Sequence, residues 1–267
     1  MEEKFRELDA LFAEGKMKDA EEKLTGWVDQ AKQEHDRGAL LSLYNELEGL
    51  YRTTGRAEQA VDISSQALAL IDAMGLEGTI HHATTLLNGA TANTVLGHTD
   101  RALDMYQQAR SILESLGQQN SYQMAALCQN ISHCYQQKGE YAQALEFLRR
   151  ALALVSKFEH TQGEAASTRT SIALCLMALG QLEEAEKYLT ESLDYYESGI
   201  QPGDGHYSSA LAAAGEFYWR KKEPEKALDY YQRALAFNRA HFGHTHSNDI
   251  IQSNMDKIRR EWGLAST

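Results

Sequence analysis

The residues with most capacity for chemistry gather at a few places in this chain. His241, His244 and His246 fall within six residues, and imidazoles at close spacing are common metal ligands. They occur in a stretch that reads as a connecting loop, without a cysteine or an obvious carboxylate set, so neither a metal nor another cofactor is expected. His81 and His82 are adjacent at a predicted helix start, where neighbouring side chains diverge. The cysteines are Cys128, Cys134 and Cys175. An odd, small number without a tight pairing motif argues against a disulfide framework and for small core residues. The carboxylate pairs Glu21-Glu22 and Glu183-Glu184 lie on predicted helices, where such charges face solvent. Phosphate-binding Gly-x-x-x-x-Gly-Lys, a nucleophile elbow and a metalloprotease helix are all missing from the sequence. The chain is expected not to be an enzyme.

The elements that hold these residues follow from a repeat. Lys138–Leu152 reads Lys-Gly-Glu-Tyr-Ala-Gln-Ala-Leu-Glu-Phe-Leu-Arg-Arg-Ala-Leu, and variants of it return along the chain. In register stand Gly15, Gly55, Gly97, Gly139, Gly180 and then Lys222, each followed five residues later by an alanine: Ala20, Ala60, Ala102, Ala144, Ala185 and Ala227. The alanines are 40, 42, 42, 41 and 42 residues apart. Such a period without a strand pattern predicts stacked helix pairs, each burying its apolar face against its neighbours. After Gly139, Ala144, Leu145, Leu148, Ala151 and Leu152 mark one buried stripe at three-and-four spacing. Alanine is expected to recur where two helix axes pass closely.

The expected fold class is all-α, a single solenoid domain over 1–267. Its repeats are placed at about 1–36, 37–77, 78–118, 119–159, 160–202 and 203–243, with a capping helix at 247–263. Pro224 suits a first helical turn. Ser198-Gly-Ile-Gln-Pro-Gly-Asp-Gly205 is the strongest loop signal. Tyr195-Tyr196 and Tyr230-Tyr231 occupy repeat positions and read as packing.

Composition excludes several classes. Of 267 residues only two are proline, 24% are charged and 43% hydrophobic, a balance for a folded helical protein and not for disorder. Acidic residues number 38 against 26 basic, a net charge of −12, which repels nucleic-acid phosphates and anionic membrane surfaces. No apolar run reaches the length of a signal peptide or a spanning helix, so a cytoplasmic location is expected, with no nucleic-acid or membrane partner.

Tyr135, Gly139, Tyr141, Ala144, Phe147 or Leu148, Ala151 and Leu152 form a pattern that resembles the tetratricopeptide repeat. The likeness extends over six repeats from about Met1 to Phe242. A period near 42 is longer than that family's usual 34 and is similar to the kinesin-light-chain type. Leu86-Leu-Asn-Gly-Ala90, Leu127-Cys-Gln-Asn-Ile131 and Gly243-His-Thr-His-Ser-Asn-Asp249 resemble segments of that type. The resemblance implies a right-handed superhelix whose first helices line a concave groove for a protein or peptide partner. Its groove positions fall here on Asn45, Asn88 and Asn130, amides able to pair with a peptide backbone. Arg52 and Arg220 would add charge-assisted contacts, and Gln129, His133 and Gln136 would fill the middle. Where the chaperone-tail type of the family uses lysine and arginine to clamp a terminal carboxylate, the first helices here offer Phe5, Glu46, Thr84 and Asn88, so acidic chaperone tails are not expected to bind in that manner. The leading expectation is a non-catalytic scaffold or adaptor; the alternative is a regulator whose superhelix changes shape with a peptide or small ligand.

Overall fold

The structure, a computed structural model, describes residues 1–199 and 204–264. Of the loop expected at 198–205, residues 200–203 lie outside the described residues. Thirteen helices and no strand occur among the described residues. Backbone packing divides the chain into two compact units, Met1–Lys138 and Gly139–Thr267. The first holds α1 (Glu2–Ala13), α2 (Met17–Gln33), α3 (Arg37–Thr53), α4 (Ala57–Met74), α5 (Ile80–Val95), α6 (Thr99–Ser115) and α7 (Tyr122–Gln137). The second holds α8 (Tyr141–Val155), α9 (Gln162–Ala178), α10 (Leu182–Gly199), α11 (Gly205–Arg220), α12 (Pro224–His241) and α13 (His246–Trp262). No described helix is long and apolar enough to cross a membrane.

The hinge glycines end first helices and start second ones. Gly15, Gly55, Gly97, Gly139 and Gly180 all have φ between +70° and +77°, a left-handed conformation that a Cβ disfavours. Around them the chain closes helix C-termini by the six-to-one pattern that satisfies terminal carbonyls. Arg56 N–H donates to Tyr51 O at 2.8 Å and His98 N–H to Asn93 O at 2.9 Å. In the second unit Gln181 N–H reaches Leu176 O at 2.9 Å. Lys222 makes the same turn, with φ +62° and Glu223 N–H on Tyr218 O at 2.9 Å, so a lysine here pays the steric cost that its glycine counterparts avoid. Lys222→Gly is therefore expected to raise stability by about 0.5–1 kcal/mol, after subtracting glycine's greater freedom in the unfolded chain. A urea midpoint that stays put or falls would show that this backbone is unstrained.

Four of the first helices, α3, α5, α7 and α11, start on side-chain caps. Asp36 accepts from Ala39 N–H at 2.9 Å, Thr79 from His82 N–H at 3.4 Å, Ser121 from Met124 N–H at 3.1 Å and Asp204 from His206 N–H at 2.9 Å. Each satisfies one of the amides that a helix start leaves unpaired. Second helices lack such a cap where they follow a hinge directly, as α2, α4, α6, α8 and α12 do; the hinge sets their entry.

Packing follows the repeat. The six register alanines are all fully buried, as close axial approach requires. Cys128, Cys134 and Cys175 are buried in the core as thiols outside any disulfide, and burial pushes the Cys175 thiol up to about 11. The tyrosine pairs divide their work: Tyr196 and Tyr231 are buried, whereas Tyr195 is an exposed ring set edge-on to Tyr196 and Tyr230 stacks on Tyr218 with centroids 5.3 Å apart.

Candidate functional site

Three first helices of the Met1–Lys138 unit carry the candidate side chains in a common register. Asn45, Asn88 and Asn130 each stand nine residues after the capping side chains Asp36, Thr79 and Ser121. Measured from the glycines the offsets vary between ten and nine, so the cap is the better ruler. On α3 the face continues at Glu48 and Arg52, three and seven residues on. On α5 it continues at Thr91 and on α7 at His133.

The amides do unequal work. Asn88 donates its Nδ2 to Asn45 Oδ1 at 3.1 Å. Asn45 in turn donates to Leu41 O at 3.1 Å and reaches Thr85 Oγ1 at 3.5 Å. Its amide is thus spent inside the protein, tying α5 to α3. Asn88 keeps its carbonyl oxygen, and half-buried Asn130 has no hydrogen-bond partner among the described residues. On the same helix Gln129 and Gln136 are half-buried and His133 is exposed, the imidazole meeting Gln137 at 3.2 Å. Helices α5 and α7 carry no aspartate, glutamate, lysine or arginine, although 24% of the chain is charged. The polar face they present consists of amides and hydroxyls with the His133 imidazole.

Arg220 belongs to the other unit. Its Nη1 donates to Met177 O at 2.9 Å and its Nε to Glu216 Oε1 at 2.6 Å, so the guanidinium closes α11 onto α9. His244 pairs with Asp249 at 3.1 Å. No group of three or more His, Cys, Asp or Glu side chains able to hold a metal occurs among the described residues.

One functional candidate escaped the sequence reading. Glu48 is 2% exposed, and its Oε1 has no hydrogen-bond partner among the described residues. Arg52 Nε lies 3.7 Å away, and it too is buried and unbonded. Burial pushes the Glu48 carboxyl up to about 7, against a smaller downward pull from Arg52. Next to the pair, the Thr91 and Tyr106 hydroxyls meet at 3.0 Å, and Arg52 acts electrostatically on Tyr106. The missed signal is positional: Leu41, Tyr44, Glu48 and Tyr51 fall on one three-and-four stripe, so a glutamate occupies a place that the periodicity reserves for the core.

The sequence profile of the tetratricopeptide repeat matches residues 122–198 and 164–240. No curated protein matches the sequence. Several solved structures share the fold. BtubC (BKLC) from P. vanneervenii is 19% identical with a TM-score of 0.71, over 86% of this chain and 93% of that one. The kinesin light chain nearly identical TPR-like repeats of Podosopora anserina are 18% identical with a TM-score of 0.64, over 75% and 95%. The apo form of the quorum sensor NprR from B. thuringiensis is 16% identical with a TM-score of 0.72, over 98% of this chain and 70% of its own. With the matched profile over residues 122–240, the glycine-hinged pairs and a period near 42 residues, the chain has the tetratricopeptide-repeat fold and is similar in structure to kinesin-light-chain-like repeat proteins.

Proposed function

We propose that this protein is a non-catalytic interaction scaffold, a single solenoid over 1–267 that binds a peptide or helix of a partner protein along the face of its first helices. The observation that carries this reading is the polar face of α5 and α7, free of aspartate, glutamate, lysine and arginine, with Asn88 holding a spare acceptor and Asn130 an amide unbonded among the described residues. Side-chain amides offer both a donor and an acceptor to a peptide backbone, and helices already folded reduce the ordering cost of binding. Gln129, His133 and Gln136 extend the same face. Arg52 supplies its charge, whereas Arg220 contributes through the shape of its own unit. The partner, the cytoplasmic setting and the absence of nucleic-acid or membrane binding belong to the same proposal, resting on the net charge of −12.

The test compares the intact protein with Asn88→Ala/Asn130→Ala in quantitative capture from lysate of the source organism, after equal helicity is verified. Two net hydrogen bonds at about 0.5–1.5 kcal/mol each predict a loss of roughly 5-fold to 150-fold in affinity. Asn45→Ala is the control, expected to lower stability because its partners are internal. Equal recovery by wild type and the double variant would sink groove binding.

A second reading, a regulator whose shape responds to a peptide or small ligand, is favoured by the fold shared with the quorum sensor NprR over 98% of this chain. Small rotations between repeats add along an array, so ligand addition would then change the radius of gyration in solution scattering; an unchanged value leaves the static scaffold.

A further inference from the structure

We propose that Glu48 is a proton-coupled counterion: it holds Arg52 while the face is empty and takes up a proton from solvent when a carboxylate of the bound segment claims Arg52. This rests on the groove reading above and adds the class of segment and its regulation, an acidic one whose binding consumes a proton.

Geometry sets up the exchange. Glu48 and Arg52 face each other at 3.7 Å, a charge contact without a hydrogen bond, and each leaves a buried polar atom unbonded. The two groups differ in access. The Glu48 side chain is 2% exposed and that of Arg52 is 34%, so an incoming group can reach the arginine and not the glutamate. A carboxylate can engage a guanidinium through two parallel hydrogen bonds, better geometry than Glu48 achieves. Once Arg52 is so engaged, an ionised Glu48 is left sealed beside a second negative charge. A buried carboxylate in that position neutralises.

Among the described residues no second cation acts on Glu48. Arg52 is the one charged group acting on Glu48. From α2, Glu21 is taken by Arg56 at 2.7 Å, and Lys32 sits over the Tyr44 ring, 5.9 Å from its centroid. From α4, Glu58, Asp62 and Asp72 are exposed. α5 contributes no charged side chain, its only titratable groups being His81 and His82 in its first turn. α6 contributes the Tyr106 hydroxyl, bonded to Thr91. α7 adds His133 and, toward Tyr106, the buried Cys134 thiol, neither of them a permanent cation. Arg37, the other arginine of α3, is spent on the Ala73 carbonyl at 3.1 Å, which leaves Arg52 as the arginine of α3 that an incoming anion can claim. The arrangement is a single guanidinium with amides beside it, not a lysine and arginine clamp.

The experiment follows the Glu48 side-chain carboxyl by carbon NMR across pH in the full chain, with Glu48→Gln assigning the signal. In the free protein it titrates near neutrality. Arg52→Gln, which stands for an arginine already claimed, is expected to move that midpoint up by a pH unit or more; an unmoved midpoint overturns the coupling without any ligand. Three ten-residue peptides are then added at millimolar concentration: alternating alanine and glutamate with an amidated end, alternating alanine and glutamine with a free carboxylate, and the latter amidated. The expected result is that an acidic peptide shifts the Asn88 and Asn130 side-chain amide signals and raises the Glu48 midpoint. Its affinity should fall as pH rises above neutrality, by up to about tenfold per unit for one coupled proton, and Glu48→Gln should bind with little pH dependence. The first two peptides tell side-chain carboxylates from a chain terminus. Amide shifts with a fixed Glu48 midpoint overturn the proton coupling and leave the groove reading standing. Shifts caused equally by the neutral amidated peptide overturn the preference for acidic segments, and no amide shift with any peptide counts against the groove reading itself.

Discussion

Glu48→Gln is expected to stabilise the protein at pH 8 and to change little at pH 4. The carboxyl is held up to about 7 in the folded chain against an ordinary value of 4.5, so the folded state binds its proton more tightly than the unfolded one. Below pH 4.5 both states are protonated and the glutamate costs nothing. Between about 4.5 and 7 the unfolded state releases the proton while the folded state keeps it, and stability falls with rising pH. Above 7 the penalty is fully developed. At about 1.4 kcal/mol per unit, the shift corresponds to about 3 kcal/mol as an upper bound. A glutamine has the shape of the protonated acid and escapes this penalty at every pH. Removing the carboxylate also deprives Arg52 of its partner, but that side chain is 34% exposed and water replaces an imperfect contact at little cost. Urea unfolding of both proteins at intervals from pH 4 to 9 checks the result. Curves that differ by a constant amount across this range would show that Glu48 titrates like an ordinary surface glutamate.

The same residue marks the boundary between what the sequence discloses and what it conceals. The hinges were legible because one residue type solves one backbone problem: a left-handed φ asks for glycine, and spacing alone placed Lys222 in the series where the chain makes that turn without one. The alanines were legible for a similar reason, since close helix axes leave room for little else. Roles that depend on a partner one repeat away were harder to see. Asn45 reads as a groove amide, yet it is consumed by Asn88, 43 residues on. Arg220 reads as a groove cation, yet it caps the Met177 carbonyl, also 43 residues away. Both follow from repeats that lie side by side, so that equivalent positions meet each other before they meet a ligand. Glu48 was hidden by its type: glutamate on a helix is ordinarily a solvent residue, and only its place between Tyr44 and Tyr51 on the buried stripe contradicts that.

Gly215→Ala is expected to lower stability by about 1–3 kcal/mol, the cost of overpacking a core, although alanine in place of glycine inside a helix ordinarily gains about 1 kcal/mol. Gly215 is buried in α11, and a Cβ there would lie 2.8–2.9 Å from three ring atoms of Tyr231. That ring is 1% exposed and is planar and rigid, so the contact can be relieved only by moving helix α12 or the whole side chain. Gly89 presents nearer obstacles in the Ser64 hydroxyl and in Met105 Cε at 2.7 Å, but the methionine end is flexible, a hydroxyl can rotate, and this one has no hydrogen-bond partner among the described residues to lose. Gly89→Ala should therefore cost less than the bare distance implies, and Ser64→Ala should recover part of it. Gly26 in α2 has nothing within 4 Å of a built Cβ, and Gly26→Ala should gain about 0.5–1 kcal/mol from helix propensity alone. One substitution chemistry thus has opposite signs at two helical sites, decided by whether another helix already occupies the space. Thermal unfolding of the two single variants measures both signs, and a Gly215→Ala protein that melts no lower than wild type would show that α11 and α12 are not in the close contact that the buried tyrosine requires.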